Sequence, residues 1–314
     1  MYDSFCFTDN ISHYLNLMGI PVPPVVLFGL AEVMGTTCNR NKEQKFERFN
    51  GRNGSHQEML KRYSEASGIA FSVCNSAKPT KEIPCLIEMD DYYIDYHPFY
   101  MKNHYLRLVV LLCIHDDYYE IYDTHHRKIS KTTYAPALLK NSIKYIASEG
   151  ADYEKTGLTQ HLTAIQNTCT FNLNNQCKDQ IYTGYKGVQL FLEDLEQELK
   201  ENELEFSQVT YDLFFQILRP GGMRDSREMF ARYLHWVNQQ YSLPELDQNA
   251  NGIAGLATKW ETVANLFYKA SIVGDTNYLT NKVFKLINQV VDEEKEQVEK
   301  LLLYIMSQRR RAYE

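Results

Sequence analysis

The sequence lacks several things, and each absence excludes a class. No run of about 18 apolar residues occurs, which excludes an ordinary membrane-spanning helix. The longest apolar stretch, Leu106 to Ile114, is broken by Arg107 and has the length of a strand. No Cys-x-x-Cys pair occurs among the seven cysteines, so neither a structural zinc site nor a disulfide frame is expected. There is no phosphate-cradling Gly-x-x-x-x-Gly-Lys-Ser/Thr, no Gly-x-Gly-x-x-Gly, no Gly-x-Ser-x-Gly and no His-Glu-x-x-His. Positive charge is also in deficit. Thirty-three Lys and Arg face 40 Asp and Glu, a net charge of −7, which argues against a nucleic-acid partner. The first residues have no basic region and no long apolar core, so no secretory signal is expected and a cytoplasmic location is.

What is present describes a globular chain of 314 residues, 44% hydrophobic and 23% charged, long enough for two domains. Its odd number of cysteines (Cys6, Cys38, Cys74, Cys85, Cys113, Cys169 and Cys177) suits reduced thiols. Its 23 tyrosines gather between Tyr92 and Tyr122. Tyrosine has an apolar body and a polar tip, which suits a half-buried sheet or a cleft wall, and Tyr93 and Tyr96 become candidate substrate contacts.

Periodicity predicts a helix just after Cys6, with Ile11, Tyr14, Leu15 and Met18 on one face and Gly19 ending it. Val25 to Met34 reads as a second helix, 36–54 as a loop, and Ser55 to Ala66 as a helix opened by a Ser55/Glu58 capping box. Strands are predicted at 69–74, 84–89, 106–114 and 118–122, the last two joined by a turn at His115-Asp116-Asp117. Beyond residue 135 helices are expected at 135–149, 185–203, 207–218, 225–241, 245–271 and 277–312, punctuated by Pro220-Gly221-Gly222 and Pro244. The expected architecture is an α+β domain over 1–135 followed by an all-helical domain over 136–314.

Cys6 carries the chemistry. A thiol at a helix start faces backbone N–H groups and the positive end of the dipole, which favour thiolate and can hold an oxyanion. A thiolate nucleophile needs a base and an orienting group. His104 enters the first hairpin strand and Asp123 leaves the second, giving helix-borne cysteine, strand-borne histidine and neighbouring carboxylate in the papain-type order. His125-His126 beside Asp123 would point to opposite faces of a strand, so no metal site is expected.

Phe5-Cys6 through Gly19-Ile20, Val26-Leu27-Phe28-Gly29-Leu30 and Ile87 through Pro98 resemble the butirosin-biosynthesis acyltransferase family. So do Gly221-Gly222, Arg224 to Leu234 and Trp260 in the second half. The resemblance implies a papain-like fold and acyl transfer in natural-product biosynthesis. The donor would be a thioester on an acyl carrier protein or peptidyl carrier domain, and the acceptor a small-molecule amine. No cofactor of the chain's own is implied, since phosphopantetheine rides on the carrier. The roles implied are Cys6 as nucleophile, His104 as base and Asp123 as orienting group. Arg224, Arg227 and Arg232 would contact phosphopantetheine or a carboxylate. An acidic carrier would dock on Lys42, Lys45, Arg48 and Arg52, or on Arg309 to Arg311.

The chain departs from the family pattern in two ways. Pairing about the 116–117 turn sets Asp123 opposite Val110, several residues along from His104, while Leu106-Arg107-Leu108 stands where the family's histidine usually lies. No glutamine precedes Cys6. His97, His115 and His125 are the alternative bases. A cysteine hydrolase or cyclase on the same fold, and a non-catalytic papain-like binding protein, are the competing functions.

Overall fold

The apolar stripe around Ile11, Tyr14 and Leu15 forms helix α1 (Cys6–Leu17), and those three side chains are buried. Gly19, at φ +77°, takes the left-handed turn that ends it. These elements belong to a computed structural model that describes residues 5–39, 49–74, 84–95, 100–101, 106–116, 118–124, 128–132, 143–147, 156–178, 181–201 and 206–313. His104, Tyr96, His97, His125 and the basic residues 42, 45 and 48 lie outside the described residues.

The architecture is mixed α+β, with two antiparallel sheets and a helical C-terminal region. The chain divides into two units, neither of which is continuous in sequence. The first comprises 1–27 and 55–156, the second 28–54 and 157–314. Helix α2 (Pro24–Leu30) carries the chain from one to the other. This division differs from the cut expected at residue 135, because the strand Lys144–Ala147 pairs back to the strands Phe71–Cys74 and Cys85–Asp90.

In the first unit six strands run in the order β3 (Phe71–Cys74), β8 (Lys144–Ala147), β4 (Cys85–Asp90), β5 (Leu106–Ile114), β6 (Tyr119–Asp123), β7 (Lys128–Thr132). β8 inserts between β3 and β4, pairing Phe71 with Ala147 and Leu86 with Tyr145. The helix expected over 135–149 is thus a strand where the chain is described. Alternation gives the sheet two apolar faces. Cys85, Ile87, Met89, Val109, Leu111, Tyr119 and Ile121 gather on one, with Ile94. Helix α1 packs on the other. Its Asn10 donates to the Leu108 carbonyl at 2.7 Å and accepts from the Thr124 amide at 3.0 Å, tying it across β5 and β6. Helix α3 (His56–Ser67) has the expected capping box and ends at Gly68, φ +76°.

In the second unit β2 (Phe49–Arg52), β1 (Met34–Asn39), β10 (Ile181–Thr183) and β9 (Gln176–Lys178) form a four-stranded sheet. The long helices are α4 (Leu158–Leu173), α5 (Gly184–Glu201), α6 (Phe206–Leu218), α7 (Met223–Tyr241), α8 (Glu245–Val273) and α9 (Lys285–Tyr313). The second domain is therefore not all-helical. The Gly/Asn-rich stretch expected as a loop supplies β1 and β2, and its glycines mark close approach. A Cβ on Gly51 would lie 2.4 Å from the Gly222 carbonyl oxygen. Gly29 is similar: a Cβ there would overlap the ring of Tyr233.

Tyr233 hydroxyl and His161 Nδ1 share a 2.8 Å hydrogen bond. His161 is 1% exposed, and burial pushes its pKa down to about 4. A histidine with a depressed folded-state pKa lends stability above its ordinary pKa, because the unfolded chain takes up the proton first on acidification. Stability should therefore fall as the pH drops from about 6.5 toward 4, by roughly 3 kcal/mol in all. Urea denaturation across that window checks this. His161→Phe should flatten the acid limb.

Candidate active site

Cys6 is the first residue of α1 and is partly exposed. Phe5, at the N-cap, offers no side-chain acceptor to the first-turn amides, and Asp9 adds a carboxylate one turn in. The site is thus a thiol at a helix N-terminus without a polar cap. Cys38 and Cys169 are fully buried in the second unit. Burial raises the pKa of both thiols, as expected of structural cysteines.

Asp123 is 0% exposed, and its orientation depends on a bulge. Ile114 pairs with Tyr119 and Cys113 with Glu120, the register expected from the turn. Between Cys113 and Leu111 it slips by one, so that Val110 faces Tyr122 and not Asp123. A slip of one residue exchanges the faces of a strand. Asp123 thereby joins the face on which Arg107 lies.

Arg107, near the start of β5, is held by two carboxylates. Its Nε and Nη2 donate to the two oxygens of Asp91, at 2.7 and 3.2 Å. Its Nη1 donates to both oxygens of Asp123, each at 3.2 Å. Burial opposes the guanidinium charge, but Asp91, Cys6 and Asp123 outweigh it and hold the group protonated well above the ordinary range. The Cys6 thiol is therefore within electrostatic reach of Arg107. Burial raises the pKa of Asp91, with Arg107 working against that rise. Among the described residues the cluster is cysteine, arginine and two aspartates.

A second polar cluster was not anticipated. His56 Nδ1 lies 3.0 Å from Glu88 Oε1, which also accepts from Tyr145 hydroxyl at 3.1 Å. The His56 ring stacks on Phe7, the neighbour of Cys6, at 5.4 Å between centroids. Burial, then the Glu88 charge, raises the Tyr145 pKa. The available signal was Glu88 itself, one acid amid Cys85-Leu86-Ile87 and Met89, since a charge in a two-faced apolar strand needs a buried partner.

The other candidates separate. Tyr93 is 38% exposed and meets Tyr92 edge to face. Arg224 is shared by Asp225, Glu228 and Glu261. Arg232 pairs with Glu228 on its own helix. Arg227 is wholly buried, which corrects its assignment as a substrate contact. It donates to Glu294 at 2.6 Å, to Gly35 carbonyl at 2.9 Å and to the hydroxyls of Thr36 and Ser226. Arg309 donates to Gln166. No group of three or more His, Cys, Asp or Glu suited to a metal occurs among the described residues. No helix among them is long and apolar enough to cross a membrane.

Neither a scan against protein-family models nor a search of curated proteins finds a match to this chain.

Proposed function

We propose that the first unit is a papain-like cysteine acyl-transfer domain, cytoplasmic, acting in natural-product biosynthesis on a carrier-protein thioester. The observation that carries the reading is the partly exposed Cys6 thiol at the start of α1, which acts electrostatically on the same Arg107 that the buried Asp123 holds. Helix-start amides favour the thiolate and an oxyanion formed next to it. Cys6 sulfur attacks the thioester carbonyl, the bond to the pantetheine sulfur breaks, and that thiolate leaves and is protonated. The acceptor amine then attacks the acyl-cysteine, releasing Cys6 thiolate and losing a proton. His104 is the proposed proton acceptor in the first step and donor to the leaving thiol.

A second reading is a binding protein that has kept the fold and lost the base. Arg107 favours it, because a guanidinium held by two carboxylates cannot accept a proton.

Intact-protein mass spectrometry with S-acetyl-N-acetylcysteamine separates the two. The enzyme reading expects an acetyl adduct on Cys6, lost in Cys6→Ala and slowed about a hundredfold or more in His104→Ala. An added amine should discharge that adduct faster than water does. Discharge equally fast in water favours a hydrolase. No adduct on Cys6 leaves the binding protein.

A further inference from the structure

Helix α1 starts without a side-chain cap, since Phe5 has no acceptor to offer the first-turn amides. Such a turn keeps one geometry only if tertiary contacts hold it. The anchors here flank the partly exposed Cys6, for Phe5 and Phe7 are both buried. The Thr8 hydroxyl also donates back to the Phe5 carbonyl at 3.1 Å.

Phe7 meets the ring of His56, with centroids 5.4 Å apart and planes 8° from parallel. His56 is the first residue of α3, whose own start is firmly capped by the reciprocal bonds of Ser55 and Glu58. The His56 side chain is held too. Its Nδ1 lies 3.0 Å from Glu88 Oε1 of β4. Glu88 accepts in turn from the Tyr145 hydroxyl of β8 at 3.1 Å, a hydroxyl that burial keeps protonated. All three side chains are buried. An acid in an apolar strand interior costs free energy, and apolar side chains of similar volume often stabilise a core as well or better. What this cluster adds is a fixed position for one ring.

We propose that His56 is a positioning residue for Cys6. Clamped by Glu88 and Tyr145, its ring fixes Phe7, and through Phe7 the roll of the first turn of α1. That roll sets how the Cys6 sulfur meets the helix-start amides and the charge of Arg107, both of which favour thiolate. The control acts on the thiol itself, whatever Cys6 reacts with, and so does not depend on acyl transfer.

Glu88 acting through its field alone would have the opposite sign. A nearby negative charge disfavours thiolate, so deleting it would make Cys6 more acidic. Deleting a positioning group misaligns the sulfur and makes Cys6 less acidic.

The test is the rate of iodoacetamide alkylation from about pH 5 to 10, which follows the thiolate. Peptide mass spectrometry reads Cys6 and, as the reference in the second unit, the exposed Cys177. His56→Ala, Glu88→Ala and Phe7→Leu should each raise the Cys6 midpoint by about one pH unit and leave Cys177 unmoved. The double variant His56→Ala, Glu88→Ala should shift Cys6 no further than either alone, because both act through one path. Glu88→Gln keeps an acceptor for His56 and Tyr145 and should restore the wild-type midpoint. Should the alanine variants fail to fold, Phe7→Leu and Glu88→Gln decide by themselves. The positioning role is overturned if Cys6 keeps its midpoint in folded Phe7→Leu or His56→Ala, if either Glu88 variant lowers it, or if Cys177 moves with Cys6. A protein whose Cys6 shows these shifts but is never acylated would refute the acyl-transfer reading and leave the positioning role standing.

Discussion

Glu294→Ala should destabilise the second unit by about 3–5 kcal/mol, a large share of the stability of a domain. Glu294 is 1% exposed and holds together three elements. Arg227 of α7 donates to it through Nε at 3.0 Å and Nη2 at 2.6 Å. Trp260 of α8 donates Nε1 at 2.9 Å, and Tyr185 of α5 its hydroxyl at 3.1 Å. Removing the carboxylate leaves a buried guanidinium without its counter-charge and orphans an indole N–H and a phenol. Burial is the main reason that the Tyr185 hydroxyl sits well above its ordinary pKa, and burial persists in the variant. Glu294→Gln keeps acceptors for Trp260 and Tyr185 but not the charge, and should recover only part of the loss. The double variant Arg227→Met, Glu294→Met should recover most of it, because neither charge then needs desolvating. Urea midpoints read through tryptophan fluorescence check the series. A single variant within about 0.5 kcal/mol of wild type would show that the pair is dispensable.

Arg107→Met should cost the first unit about 3–5 kcal/mol at neutral pH, since it strands two buried carboxylates. Asp91 is 3% and Asp123 0% exposed. The loss should depend on pH in a definite direction. Asp91 already has a raised pKa, from burial first, and loses the arginine that opposed the rise. A group whose folded-state pKa is raised contributes most at low pH and loses that contribution as pH rises through the folded value. The deficit of Arg107→Met should therefore shrink as pH falls from 7 toward about 4, the ordinary carboxylate range. Denaturation midpoints at both ends test this. A deficit that stays constant or grows on acidification would mean that the carboxylates are not what the arginine serves. Arg107→His bears on the chemistry at the same position. If the arginine is what silences the thiol, an imidazole there should raise Cys6 acylation above that of wild type.

Local chemistry made part of this legible in advance. α1 and α3 were readable because their apolar residues recur at helical spacing and their ends carry a left-handed glycine, with a capping box at the start of α3. The β5–β6 hairpin was readable because two strand-like runs flank a polar turn. Cys6 stood out because its place before a helix is a local fact. β1, β2 and β8 were not readable. Met34–Asn39 and Phe49–Arg52 look like a loop because their glycines answer to neighbours far along the chain, Gly51 to Gly222 above all. Lys144–Ala147 is a strand because β3 and β4 leave a place between them.

The candidate site divides in the same way. Residues Cys6 and Asp123 follow from helix and strand boundaries, which sequence spacing sets within a few residues. The face to which Asp123 turns does not, because the bulge near Leu111–Cys113 adds one residue to one strand, and no local signal announces it. Whether an arginine near a strand start lies in solvent or between two carboxylates depends on Asp91 arriving from the turn after β4 and Asp123 from β6. Arg227, expected as a contact to phosphopantetheine or a carboxylate, is buried because Glu294 reaches it from a helix 67 residues later. By itself the sequence determined the elements with strong periodicity and the placement of a thiol at a helix start. Only the tertiary structure decided the sheet partners, the division into two interleaved units and the pairing of the buried charges. Periodicity is a property of neighbours in the chain, whereas desolvation and charge pairing belong to neighbours in space.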